Sequence, residues 1–204
     1  MPLISKRLRD SSSTGNSGYL KPSDIKDKDS LRFSLLSEDG LDYYLFWVQE
    51  VSGTGRKPIR CENDPSPEDI DSLLEQAQER WGKEYQRPVN KDGTGSDPIK
   101  MASSVPVYNF EKECVQVLEW SQSTITQALD KISQLEDYKD CMTEIDLILE
   151  RTGQGKETRY SVNAVPRRKG ATASIKLAWK EAQEKGFDIR RLLDGGDPFK
   201  AAAA

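Results

Sequence analysis

Short runs of β-branched and aromatic residues, separated by polar turns, fill the middle of the chain. Residues 105–109 and 114–120 form two such runs around a polar turn. Residues 145–150 and 158–164 form a second pair around a turn that contains two glycines. Runs of this composition on either side of a short polar turn are typical of β-hairpins. The pattern therefore predicts two hairpins, at residues 105–120 and 145–164.

An amphipathic helix is predicted between the two hairpins. Ser121 can cap its start, and apolar residues then recur at helical spacing, on one face of the helix. These residues are Ile125, Ala128, Leu129, Ile132 and Leu135. Hairpin, helix, hairpin is the order of the second half of a small Greek-key barrel of the oligonucleotide/oligosaccharide-binding (OB) kind. A four-stranded sheet with one covering helix would give the same pattern.

A further pair of strands is predicted at residues 31–36 and 41–48, and Asp39-Gly40 between them is a hairpin signal. The second run is apolar on both faces, with Tyr43 and Trp47 on one face and Tyr44 on the other. One face belongs to the core. The other is either covered by another element or forms an exposed aromatic platform of the kind used for base stacking.

Three segments surround this core. Residues 1–29 are polar and rich in serine and glycine, which is typical of a flexible N-terminal arm. An acidic helix with a capping box at residues 66–69 is interpreted as an insertion, at about residues 62–98, into a core of residues 30–168. Residues 169–204 are expected to form a C-terminal helix and tail. The fold class expected is α+β, mostly β, with an OB-like five- to six-stranded Greek-key barrel and one core helix.

The net charge of −4 is unevenly distributed. Residues 62–84 include eight acidic and only two basic residues, so the rest of the chain is slightly positive. Nucleic-acid binding is therefore not excluded, because a single strand is held by a local basic groove rather than by total charge.

Motifs of several other function classes are missing from the sequence. It has no histidine, three widely spaced cysteines, no phosphate-binding glycine loop and no nucleophile elbow. We therefore expect no enzyme activity, no cofactor and no metal. No apolar run is long enough to cross a membrane and the N-terminal residues lack a secretory pattern, so we expect a cytoplasmic protein without membrane contact.

Basic residues lie in two clusters, and the predicted strands carry aromatic rings. A glycine-containing loop predicted at residues 51–60 carries Arg56, Lys57 and Arg60, and Arg151, Lys156 and Arg159 surround the turn of the last hairpin. Basic rims around an aromatic floor bind single strands with little sequence preference. The candidate stacking rings are Tyr43, Tyr44, Trp47, Tyr108 and Tyr160. The alternative is that the rings belong to the core and that the glycines only make a tight turn.

The segments 107–125 and 148–162 carry two motifs, Ser-Gln-x-Thr-Ile and Arg-x-Gly-x-Gly-x-x-Thr-x-Tyr-x-Val. In these motifs the chain resembles single-stranded-DNA-binding proteins of tailed bacteriophages, and the resemblance extends over roughly residues 19–168. It implies an OB-type fold and non-sequence-specific binding of single-stranded DNA in replication, recombination or repair, in the host cytoplasm if the chain is phage-encoded. Some relatives carry zinc in an insertion, where this sequence has the acidic helix, so zinc is not expected.

Partner proteins are also implied. Replication or recombination proteins are expected to contact the acidic helix or the C-terminal tail, whose residues 194–199 are similar to the acidic Pro-Phe tip of bacterial single-strand binders. A protein-interaction or structural module without nucleic-acid binding is the alternative function.

Overall fold

The structure, a computed structural model, describes residues 18–200 as an α+β fold with one nine-stranded sheet. The three α-helices of this part of the chain are α1 (Pro67–Trp81), α2 (Ser123–Ser133) and α3 (Ala171–Glu184). The strands are β1 (Tyr19–Leu20), β2 (Asp29–Leu35), β3 (Leu41–Glu50), β4 (Arg56–Cys61), β5 (Tyr85–Gln86), β6 (Lys100–Asn109), β7 (Cys114–Trp120), β8 (Asp146–Thr152) and β9 (Arg159–Val165). None of the described helices is long and apolar enough to cross a membrane.

The sheet is branched and open. Its main path runs β1-β7-β6-β2-β8-β9, and β3 joins at β6 and carries β4 and β5. Among the described residues, β1 pairs only with β7 and β9 pairs only with β8. The strand pairing therefore does not form the closed five- to six-stranded barrel that the sequence pattern predicts.

The two later hairpins are confirmed, and local side chains explain their turns. β6 and β7 pair in antiparallel register, and Oδ1 of Asn109 accepts from the backbone N–H groups of Glu111 and Lys112 at 2.8 and 3.2 Å. β8 and β9 also pair in antiparallel register. Gly153 in their turn has φ +80°, and a β-carbon there would meet the carbonyl oxygen of Glu157. That turn therefore needs glycine.

The hairpin predicted at Asp39-Gly40 is wrong. β2 and β3 do not pair with each other, and both run antiparallel to the same side of β6. Leu35 lies opposite Val107 and Leu41 lies opposite Ser104, so the intervening residues interrupt a nearly continuous strand. The long strand β6 decides this arrangement because it offers a hydrogen-bonding partner to both segments.

One face of the sheet, here called the inner face, carries the main core. Phe33, Leu118, Leu147 and Leu149 of this face are fully buried. Helix α2 covers them with Ile125 and the other apolar residues of its predicted stripe up to Ile132. Gln122, not Ser121, is the residue before its first turn. The expected single core helix is therefore present, on a sheet that extends well beyond it.

The acidic helix α1 packs on the same inner face, over β3 and β4. Its capping box is confirmed, since Ser66 accepts from the backbone N–H of Asp69 and the Asp69 carboxylate accepts from that of Ser66. The apolar side of α1 covers Phe46 and Val48, both fully buried. The helix inserted in the sequence thus completes a second core cluster, while its acidic side chains face solvent.

The opposite, outer face is covered by the C-terminal segment. Helix α3 places Ile175 against Leu36 and Tyr108. A short 3-10 turn then places Leu192, which is fully buried, against Tyr43, Leu45 and neighbours. Residues 169–200 therefore form a packed layer of the fold rather than a detached tail.

The interpretation of residues 1–29 as a flexible arm needs correction from residue 18 onward. β1 pairs in parallel with β7, and Leu20 and Ile25 are 5% and 7% exposed in the main core. Residues 1–17, including the basic residues near the N-terminus, lie outside the described part of the chain. The pairing is stabilised by Gln116, whose amide donates to the carbonyl of Tyr19 at 3.2 Å.

Candidate nucleic-acid interface

A cleft of about 790 Å³ opens on the outer face, where β3 and β4 meet the end of β7. One wall is the segment after β1, and another is the Gly195-Gly196 turn of the C-terminal layer. The lining combines aromatic rings with cationic side chains. The rings are Tyr19, Trp47, Trp81 and Trp120, and the cations are Lys21, Arg56, Lys57 and Arg60.

Trp47 lies in this cleft and is 39% exposed. Because side chains alternate along a strand, Trp47 shares the outer face with Tyr43 and Leu45. The C-terminal layer covers those two residues, with Leu192 among their neighbours, but leaves Trp47 open. Trp47 is thus open on the outer face while Phe46 on the inner face is fully buried, and a ring open on this side is available for stacking.

Arg56, Lys57 and Arg60 all line the cleft, although they lie on strand β4 rather than on the predicted loop. Their side chains alternate, so Lys57 lies on the inner face of β4, beside α1, and its ammonium is 4.3 Å from the ring centroid of Trp81. Arg56 is exposed and lies 3.8 Å from a carboxylate oxygen of Asp97. These two cations keep solvent contact and can reach an anion in the cleft.

Arg60 is different, because a buried network holds it. Its Nε and Nη2 donate to Oε2 of Glu119 at 2.8 and 2.6 Å, and the hydroxyl of Tyr43 donates to the same oxygen at 2.6 Å. The hydroxyl of Ser104 makes a short contact with that of Tyr43. Burial raises the pKa of Tyr43 and the nearby Glu119 carboxylate raises it further, so the phenol stays protonated. Glu119 neutralises most of the charge that Arg60 brings to the cleft floor.

The other candidate rings do not join Trp47. Tyr43 and Tyr108 are 1% and 6% exposed, and Tyr108 packs edge-on against Phe110 under α3. They cannot stack on a base in this structure, which corrects their assignment. Tyr44 is half-buried on the inner face, and Tyr160 is half-buried against the main core. The alternative that these rings belong to the core therefore describes Tyr43 and Tyr108.

The basic residues of the last hairpin lie outside the cleft lining. Lys156 and Arg159 are exposed, and Arg159 donates to backbone carbonyls of its own turn. Arg151 points back into the fold, where its Nη1 donates to the carbonyls of Ser23 and Ile25 at 2.9 and 2.7 Å. Ser23 lines the cleft, so Arg151 positions a cleft wall. The expected meeting of the two basic clusters in one groove is thus not observed.

Four of the aromatic and cationic lining residues were not predicted from the sequence. Tyr19 and Lys21 were assigned to the flexible arm, and Trp81 and Trp120 were interpreted as parts of a helix and a strand. Only an aromatic-basic alternation at residues 19–21 could have indicated the first two. Trp120 donates from its indole to the hydroxyl of Thr126 at 3.1 Å, which fixes its ring at the cleft edge.

No group of three potential metal ligands is found in residues 18–200. A scan against models of protein families, a search of curated proteins and a search of solved structures each returned no match. The cleft geometry and the sequence pattern are therefore the basis for a functional proposal.

Proposed function

We propose that the protein binds single-stranded DNA in this cleft, without sequence preference. The observation that carries the proposal is the exposed ring of Trp47 beside the solvent-accessible cations Arg56 and Lys57 in one cleft. Base stacking on an aromatic side chain is worth about 1–3 kcal/mol per base and tolerates any base, since every base has a π-face. The cations would hold the phosphates on either side of the stacked base.

The shape of the cleft favours a single strand over a duplex. Trp47 shares the cleft with the segment after β1 and with the Gly195-Gly196 turn, so a base must leave its own stack to enter the cleft and reach the ring. An unpaired base does so at little cost, whereas a paired base must first be unstacked and unpaired, at a few kcal/mol. Acidic groups are few at this position, with Glu119 already engaged by Arg60.

The proposal extends to the fold and the cellular role. An OB-like core would comprise β2, β3 and β6 to β9 with α2 covering the inner cluster, and the hairpin-helix-hairpin order supports it. The role would be to protect or present single strands in DNA replication, recombination or repair in the cytoplasm, by binding rather than by catalysis. Replication or recombination proteins would contact the acidic face of α1.

The test is a titration of fluorescently labelled oligonucleotides, single-stranded and double-stranded, over a range of salt concentrations. We expect tighter binding of the single strand and a log-log salt slope of about −0.7 per phosphate contact. The double variant Arg56→Ala/Lys57→Ala should weaken binding and reduce the slope by about 1.4. The variant Lys131→Ala/Lys139→Ala removes two exposed charges elsewhere and should leave the slope unchanged.

Two results would contradict the proposal. One is equal affinity for single and double strands, and the other is an affinity that does not change with salt. A protein that binds no oligonucleotide at all would favour the protein-interaction module, in which the cleft holds a peptide segment.

A further inference from the structure

A second basic cluster lies on the outer face, around Phe110 in the turn between β6 and β7. The guanidinium carbons of Arg32 and Arg168 lie 5.6 and 5.7 Å from the centroid of the Phe110 ring. Arg167 and Lys169 flank Arg168 in the chain, and both Arg168 and Lys169 are exposed. We call Arg32, Phe110, Arg167, Arg168 and Lys169 the Phe110 patch.

The patch is organised by one fully buried carboxylate. Asp146 accepts from Nε of Arg32 at 2.8 Å, from the hydroxyl of Ser34 at 2.6 Å and from the backbone N–H of Arg168 at 2.9 Å. Nε of Arg167 lies 2.8 Å from Oδ1 of Asp146, the oxygen that also accepts from Ser34. Arg167 and Asp146 form an ion pair there, but Nε is not aligned for a hydrogen bond. Two guanidinium groups thus share one carboxylate, which leaves a surplus positive charge. Asp146 fixes the position of these cations, as expected for a preformed anion site.

Arg168 and Lys169 have charge available for a ligand. Among the described residues, no side-chain hydrogen bond or ion pair is found for Arg168, and its guanidinium lies over the ring of Phe110. Arg167, by contrast, donates to the carbonyls of Thr143 and Ile145 at 2.6 and 2.9 Å. Guanidinium groups are suited to phosphate, because they are permanently charged and present several donors in one plane.

The Phe110 patch and the cleft lie on the same face of the sheet. Arg32 and Ser34 are two positions apart on β2, and Ser34 lies opposite Tyr108 of β6. Tyr108 in turn lies opposite Val115 of β7. Val115 and Glu119 are four positions apart, so both point to the outer face. Glu119 belongs to the cleft lining.

The distance between the two sites follows from β7. Phe110 lies beyond its first residue, Cys114, and its last residue, Trp120, lines the cleft. Seven residues of strand span roughly 20 Å. The C-terminal layer covers Val115 and Val117 of β7 between the two sites, so a strand must pass over it. At stacked spacing, about 3.4 Å per nucleotide, at least about six nucleotides are therefore needed to cover this distance.

We propose that the Phe110 patch is a second contact for the same single strand, binding backbone phosphates with Arg168 and Lys169. This inference rests on the proposed function, because the cleft holds the first part of the strand. The chemical class of the ligand is a single-stranded phosphodiester backbone at least several nucleotides longer than the cleft alone can hold. The patch adds affinity and salt dependence without reading bases.

The experiment compares a trinucleotide of thymidine with a 20-mer, using intrinsic tryptophan fluorescence for the first and a labelled strand for the second. The variant is Arg168→Ala/Lys169→Ala, with thermal melting as a check of folding. We expect unchanged affinity for the trinucleotide, roughly tenfold weaker binding of the 20-mer at 0.15 M salt, and a slope reduced by about 1.4.

The matched control is Lys180→Ala/Lys185→Ala, which removes two cations from α3 and the residue after it; their side chains are 73% and 76% exposed. It should keep the wild-type affinity and slope. If Arg168→Ala/Lys169→Ala behaves like this control with the 20-mer, the second contact is overturned while the cleft stands. If the wild type binds neither oligonucleotide, the proposed function itself fails.

Discussion

Arg60 and Glu119 form the most buried ion pair at the cleft, with Nη2 and Oε2 only 2.6 Å apart and side chains 6% and 14% exposed. The pair joins β4 to β7, two strands that do not pair with each other. The guanidinium of Arg60 therefore fixes the structure of the cleft floor and adds little net charge, because Glu119 neutralises it. The positive charge available to a ligand comes from the cations that remain accessible to solvent.

The first prediction follows from this pair. Glu119→Ala leaves the guanidinium of Arg60 buried without its counter-charge, which should lower the free energy of unfolding by about 3 kcal/mol or more. The double variant Arg60→Leu/Glu119→Leu removes both charges and should stay within about 1–2 kcal/mol of the wild type. Urea unfolding measures both. A single variant as stable as the wild type would show that the pair is solvated.

Trp47 and Phe46 are neighbours on β3 with opposite exposure, 39% and 0%. Trp47→Ala should cost about 1–3 kcal/mol of single-strand binding and little stability. Phe46→Ala, the control on the same strand, should cost about 3–5 kcal/mol of unfolding free energy because it leaves a cavity under α1. Thermal unfolding and oligonucleotide affinity distinguish the two. If Trp47→Ala lowers the stability of the protein but its folded molecules bind the oligonucleotide as tightly as the wild type, stacking on Trp47 is excluded.

The stability of the protein should depend on alkaline pH through Tyr43. Its pKa is raised in the folded state, mainly by burial, so the folded protein holds this proton more tightly than the unfolded chain. The stabilisation that protonated Tyr43 gives the folded state is complete below the ordinary tyrosine pKa of about 10. The free energy of unfolding falls as pH rises above that value. Between pH 9 and 11, Tyr43→Phe should therefore lose stability less steeply than the wild type. The slopes should differ by up to about 1.4 kcal/mol per pH unit.

A residual slope is expected in Tyr43→Phe. Burial also raises the pKa of Tyr19 and Tyr108, so these groups still titrate. Urea unfolding at several pH values provides the measurement, and parallel curves for wild type and variant would contradict the role of Tyr43.

The two glycines of the β8–β9 turn should differ in how much their substitution lowers the stability of the protein. Gly153→Ala combines a left-handed backbone with a clash against the carbonyl of Glu157, and we expect a loss of about 2–5 kcal/mol. Gly155→Ala has φ +55° but open space around the new methyl group, so its cost should be limited to about 1–2 kcal/mol. Thermal melting of the two variants tests the difference. Equal losses would mean that the clash is relieved by movement of the turn.

Some parts of this protein could be predicted from local sequence. The capping box at Ser66 and Asp69 is made by two side chains three positions apart, so helix α1 begins where the pattern indicates. Asn109 and Gly153 likewise determine their turns through contacts within a few residues. Alternation along β3 also predicted that Trp47 and Phe46 point to opposite faces.

The candidate site was only partly predictable. The aromatic and basic residue types on β3 and β4 identified Trp47, Arg56, Lys57 and Arg60, all of which line the cleft. Neither β-propensity nor residue type distinguishes a buried ring from an exposed one, and Tyr43 was therefore assigned to stacking although Leu192 helps to cover it. The composition of β3 is compatible with either a buried or an exposed ring at Tyr43. The C-terminal layer, which packs on Tyr43, decides that it is buried.

The chain by itself determined where its α-helices and the β6–β7 and β8–β9 hairpins form, because those choices depend on neighbours along the sequence. Tertiary structure alone decided that β2 and β3 share β6 instead of forming a hairpin, and that β1 brings Lys21 to the cleft by pairing with β7. Both depend on backbone hydrogen bonds between segments far apart in the chain. Such bonds can be made with any residue type except proline as donor, so the side-chain pattern does not specify which segments pair.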